Sequence, residues 1–124
     1  MTYSKEEKEK IHENLNKIKL YLDCIRQDLR GKVTVNFGPL KTYADYTREQ
    51  AYHITVSKDG VSCRSGGLGF DFDNPFESAY RATAYTQFDF AVALIQNWFV
   101  VKSTVNNAIK EQQRMFECIN NFEV

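Results

Sequence analysis

The run from Thr86 to about Asn121 contains neither Gly nor Pro, and its apolar residues recur in steps of three and four. Ala91, Leu94, Trp98, Val101, Val105, Ala108, Met115, Ile119 and Phe122 form one stripe, with Gln112 as the polar interruption. That spacing keeps the stripe on one side of one long helix. A second row, Phe88, Val92, Ile95 and Phe99, accompanies it only through the first half. The first half is therefore expected to be buried on two sides and the second half on one. Such a helix is roughly 50 Å long, whereas a six-residue strand spans roughly 20 Å. A small sheet cannot cover it, so a second helix, or a second chain, must.

The rest of the chain has room for little more. It has 124 residues, enough for one domain with a real core and too few for two, so 1–124 is read as a single domain. A net charge of zero argues against nucleic acid as a direct ligand, because dedicated binders carry a basic excess. The three cysteines, Cys24, Cys63 and Cys118, are too few and too scattered for a disulfide framework or a zinc site. Their odd number, with no N-terminal signal pattern, points to a reducing cytoplasmic setting. The most apolar run, Phe88 to Val101, contains Asp89, Gln96 and Asn97 and is too short and polar to span a bilayer.

Taken in order, the chain opens with a helix. Ser4 followed by Glu7 is a capping-box pattern, and Ile11, Leu15, Ile18, Leu22, Ile25 and Leu29 form its stripe. Gly31 after Arg30 is the expected stop. Val33, Val35 and Phe37 alternate with polar residues as a half-buried strand; Gly38-Pro39 reads as a turn, and Leu40 to Tyr46 as a further strand. Tyr52, Ile54 and Val56 mark the next strand, and Asp59-Gly60 marks a two-residue hairpin loop. That loop pairs Lys58 with Val61, Val56 with Cys63 and Ile54 with Ser65, and keeps the apolar set on one face; a one-residue slip would split it. Gly66 to Gly69 reads as a loop. Asp73-Asn74-Pro75 begins a short helix from Phe76 to about Ala84, and Thr86 with Asp89 can cap the long helix if the two are separate. The expected fold is α+β: a three- to four-stranded antiparallel sheet with two long helices and one short helix on its apolar face, in the order α-β-β-(β)-β-α-α.

Candidate chemistry is sparse. His12 reads as a surface residue of the first helix. His53 falls on the polar face of the sheet beside Thr55 and Arg64, with no carboxylate spaced to orient it and no nucleophile to assist. Cys63 belongs to the opposite face, and Cys24 and Cys118 read as small fillers beside the helix seams. The glycine-rich segment before Asn74 resembles an anion loop in composition, but lacks the Lys and Ser/Thr that phosphate binding needs, and Asp71 and Asp73 would repel a phosphate. Those acids in turn lack the later glycine and glutamate of a calcium loop. No metal or cofactor is therefore expected, and no enzymatic activity.

Seven aromatics crowd residues 70 to 90. They divide between core packing and an aromatic-anchored contact surface. The residues expected to bind a partner are Phe70, Phe72, Phe76 and Tyr80, with Arg64 and His53 from the sheet. The expected function is stoichiometric binding to a protein partner by a small non-catalytic protein of inhibitor, immunity or adaptor type, including a phage or mobile-element inhibitor of a host complex. The alternative is a small-ligand or anion-binding sensor or sequestering protein. The uncovered end of the long helix adds a homodimer through Ile109, Gln112, Met115, Phe116, Ile119 and Phe122, with Gln112 setting register.

Overall fold

The structure, a computed structural model, describes residues 3–42, 49–65, 68–71 and 84–124, with side-chain surroundings for all of these except 39–42, 49–51, 65, 68–71 and 84–89. Helix α1 (Lys5–Ile25) starts where its cap says it should. The Ser4 hydroxyl accepts from the Glu7 N–H at 3.1 Å, and the Glu7 carboxylate accepts from the Ser4 N–H at 2.9 Å. Two orphan donors of the first turn are thereby satisfied. Its inner stripe, Ile11, Leu15, Ile18 and Leu22, is buried.

The helix ends at Ile25, five residues before the expected Arg30. A single 3₁₀ turn, Arg26–Asp28, follows, and Leu29 is already extended. Two interactions account for the early stop. Leu29 is fully buried from that extended conformation. The Arg26 guanidinium donates to the carbonyls of Ser57 and Lys58 in the hairpin, and pairs with Asp23 at 2.9 Å. Gly31, at φ 77°, turns the chain into the sheet and is not the helix stop.

Four strands follow as a meander in the order β1-β2-β3-β4: β1 (Lys32–Thr42), β2 (Glu49–Ser57), β3 (Gly60–Ser65) and β4 (Leu68–Asp71). The expected turn at Gly38-Pro39 is instead an irregularity inside one long edge strand. Phe37 pairs with Tyr52 and Lys41 with Gln50, so three residues of β1 face one of β2. Gly38 takes φ 75°, and a Cβ there would stand 2.9 Å from the Tyr52 ring. An edge strand tolerates the missing N–H of Pro39. Leu40 to Thr42 thus belong to β1, and Tyr43 to Tyr46 of the expected separate strand lie outside the described residues. Leu68 to Asp71, part of which reads as loop from sequence, pairs with β3 as the fourth strand.

The β2–β3 hairpin has a two-residue loop, but Lys58 and Asp59 form it. Ser57 pairs with Gly60, Val56 with Val61, Ile54 with Cys63 and His53 with Arg64. The register is displaced by two residues from the expected one, which leaves every side chain on its expected face. The turn chemistry explains the shift. No non-glycine residue among those described has positive φ, so the loop is not the type I′ turn that Asp59-Gly60 suggested. Ser57 stands first and Gly60 last, the type I placement, and the Ser57 hydroxyl accepts from the Asp59 N–H at 3.2 Å.

The expected single helix is two, α2 (Ala84–Gln96) and α3 (Trp98–Asn120), bent at Asn97. The Asn97 side chain donates back to the Ala93 carbonyl at 2.8 Å, beside the backbone bond from its own N–H. A side chain that competes for helix carbonyls is a recognised source of bends. The bend turns Phe99 out of the second row; it is 80% exposed, whereas Val92 and Ile95 stay partly buried. Thr86 lies within α2 and is not its cap, and most of the expected short helix lies outside the described residues.

Helices α1, α2 and α3 meet the sheet's apolar face in one core. Leu15, Leu22, Val35, Ile54, Val56, Cys63, Leu94, Val101 and Val105 are among its buried members. Phe37, Tyr52 and Phe90 form an aromatic corner, with Tyr52 and Phe90 centroids 4.6 Å apart. The α+β class and the sequence of a helix, antiparallel strands and then helices expected from the sequence are found, with α2 and α3 both drawn from the expected long helix.

Candidate functional site

The polar face of the sheet carries the residues expected to do chemistry. Asn36, His53 and Arg64 form one cross-strand row, and Thr34, Thr55 and Ser62 the next. The Thr34 and Thr55 hydroxyls are 3.1 Å apart and share a hydrogen bond. His53 and Arg64 are half-buried on this face, and Cys63 is fully buried on the other. The sheet itself separates the thiol from the imidazole. Among the described residues, no nucleophile or carboxylate is hydrogen-bonded to His53, and no three His, Cys, Asp or Glu side chains are grouped to hold a metal. Of the other expected partner contacts, Phe70 pairs with Cys63 through β4, and Phe72, Phe76 and Tyr80 lie outside the described residues.

Two open grooves flank the segment between α1 and β1. One, about 470 Å³, is lined by Leu29 to Lys32, Thr55 and Ser57 to Asp59. The other, about 490 Å³, lies between Asp28, Arg30 and the α3 residues Gln112, Gln113, Phe116, Glu117 and Asn120. Both are wide open to solvent, unlike the enclosed, mostly apolar pockets that hold small ligands.

The second groove contains the connection that seats α3. The Gln112 side chain accepts from the Arg30 N–H at 3.1 Å and donates to the Arg30 carbonyl at 2.9 Å. Its amide reads one residue of backbone as a neighbouring strand would. The Arg30 guanidinium lies 3.9 Å above the Phe116 ring, a cation–π contact. The apparent break in the stripe is thus a clamp within the chain. Ile109 is also used within the chain, buried at 8% exposure.

Beyond Ile109 no residue of α3 is fully buried. Ile119 stands about five turns after Val101, on the same face, yet it is 61% exposed; Met115 one turn before it and Phe122, past the end of the helix, are 49% and 72% exposed. Their stripe continues, but the body it packs on has ended. Of the residues expected at a dimer contact, these three remain on the surface.

Further exposed apolar residues lie at the other end of α3 and on α1, where no site was expected from the sequence. Tyr21 of α1 meets Trp98 edge-on at 5.5 Å, accepts a hydrogen bond from Asn106 at 2.7 Å, and has the Lys102 ammonium over its ring at 4.9 Å. Leu20 and Phe99, each next in sequence to one of that aromatic pair, are exposed, as is Val100. The signal for this surface is Asn97: once it bends the helix, Phe99 leaves the core-facing row.

No helix among the described residues is long and apolar enough to cross a membrane. No protein-family model matches the chain, and neither a curated protein nor a solved structure matches it.

Proposed function

We propose that the protein works by stoichiometric binding to a protein partner, as an inhibitor, immunity protein or adaptor does. A phage or mobile-element inhibitor of a host complex is the specific form that suits its size and chemistry, and the cytoplasm is the proposed setting. One observation carries the reading: Phe99 and Val100, consecutive on α3 next to Trp98, expose large apolar side chains, as does Leu20 next to Tyr21 on α1. Scattered apolar residues on a surface need no explanation, but grouped ones mark contact sites. Aromatic anchors held by a rigid helix are the usual centre of such sites. The hydroxyl-rich sheet face and the two open grooves supply no converging groups for a substrate. A homodimer through the end of α3 belongs to the same reading.

Affinity capture from the native cell, followed by mass spectrometry, tests it. The wild-type chain should retain one protein in a fixed ratio, and the Leu20→Asp, Phe99→Asp double variant should lose it while keeping its circular dichroism. A captured set that is identical for both chains overturns the assignment of this surface.

A further inference from the structure

We propose that the groove between segment 29–32 and the β2–β3 turn binds an acidic segment of a protein partner, whose carboxylates meet Lys32 and Lys58. The proposal rests on the protein-binding reading and gives it a second contact, apart from Phe99.

Charge singles out this groove. The whole chain is neutral, yet Arg30, Lys32 and Lys58 line the groove against one acid, Asp59. These cations differ in what already holds them. The Arg30 guanidinium lies over the Phe116 ring. Arg26, next to the turn, is committed to Asp23 and to the Ser57 and Lys58 carbonyls. Lys32 and Lys58 are exposed and make no ion pair among the described residues, with Asp59 or any other acid. They are also close in the chain's path. Lys32 pairs in register with Ser57, the residue before Lys58, so the Lys32 and Ser57 Cα atoms are about 5 Å apart. Two neighbouring ammonium groups with no acid between them repel, and an incoming carboxylate removes that repulsion.

Both sides of the groove are fixed without a ligand. On one side Leu29 is fully buried and the Arg30 backbone is held by Gln112. On the other, Arg26 holds the turn by its carbonyls. A backbone ordered in advance lowers the entropic cost of association. On the sheet side, the Thr55 hydroxyl shares one hydrogen bond with Thr34, which leaves one of the pair's two protons to donate.

The shape and lining select the occupant. The groove is open, whereas small ligands are held in enclosed pockets with converging polar groups. No aromatic side chain lines it, so it offers no platform on which the bases of a single strand stack. The neutral chain also lacks the basic excess of a duplex binder. Carboxylates carried on a protein segment match both the charge and the open form.

Fluorescence anisotropy with a fluorescein-labelled hexaglutamate peptide tests the proposal on the full chain. The wild type should bind saturably at low salt and lose affinity as salt rises. Lys32→Gln combined with Lys58→Gln should weaken binding by about tenfold, what two exposed ion pairs contribute, with circular dichroism unchanged. Lys10→Gln combined with Lys17→Gln makes the same change in net charge on α1 and should bind as the wild type does. No saturable binding, or equal weakening by the two double variants, overturns the groove as the site. Tripolyphosphate or a hexathymidylate binding as tightly as hexaglutamate overturns the protein segment as its occupant. A partner captured equally by the wild type and the Lys32, Lys58 variant overturns the groove and leaves the protein-binding reading standing.

Discussion

Gly38 is a glycine because of two local facts that act together. Its φ of 75° is in the left-handed region, and the Tyr52 ring occupies the space a Cβ would need. Gly38→Ala should therefore destabilise the fold by about 1–3 kcal/mol, the range for a strained backbone or an overpacked contact, read as a lower midpoint in urea with an unchanged slope. Asp23 is a different kind of residue-scale device. The Lys19 ammonium at 2.7 Å, and then the Arg26 guanidinium, hold its carboxyl below the ordinary aspartate range against a partial cost of burial. A depressed folded pKa contributes stability that is present above the unfolded value, near 3.9, and is lost as pH falls through the folded one. The side chain is 33% exposed, so the effect is expected to be below about 1 kcal/mol. Thermal melts should show the wild type above Asp23→Asn at neutral pH, with the gap closing below about pH 4.

Among the elements, α3 carries a contrast between two residues of one type. Ile109 is buried and Ile119 is exposed, on adjoining faces of the same helix. Ile109→Ala should cost about 2–5 kcal/mol, and Ile119→Ala, measured at a dilution that keeps copies apart, within about 0.5 kcal/mol. Urea titrations of the two variants would place the end of the core between them. Helix and strand stripes such as Ile11 to Leu22, or Tyr52 to Val56, were legible because burial imposes a period on the sequence. The breaks were not legible, because each depends on a partner far along the chain. The stop after Ile25 needs the Ser57 and Lys58 carbonyls, and Gly38-Pro39 reads as a turn until Tyr52 lies beneath it. The bend at Asn97 is an intermediate case: its cause is local, but an asparagine within an apolar helical run carries too weak a signal to outweigh the stripe. The same logic separates the surfaces. The exposed end of α3 followed from helix length alone, whereas Phe99 could be found only once the bend was known.

At the scale of the whole molecule, each strand pairs with the next one in sequence, so the sheet can assemble through short loop closures. The long closure comes when α3 returns to the start of the chain, and two of its hydrogen bonds join Gln112 to Arg30 across 82 residues. Closing so large a loop is entropically costly before its contacts form. The clamp is therefore expected to form after the folding barrier has been crossed. Gln112→Ala, losing two bonds to a solvent-accessible segment, should cost about 0.5–1.5 kcal/mol. In stopped-flow experiments that loss should appear as faster unfolding at a nearly unchanged folding rate. Gln112 then acts as a latch: it sets how long a folded molecule lasts and has little influence on how quickly one is made.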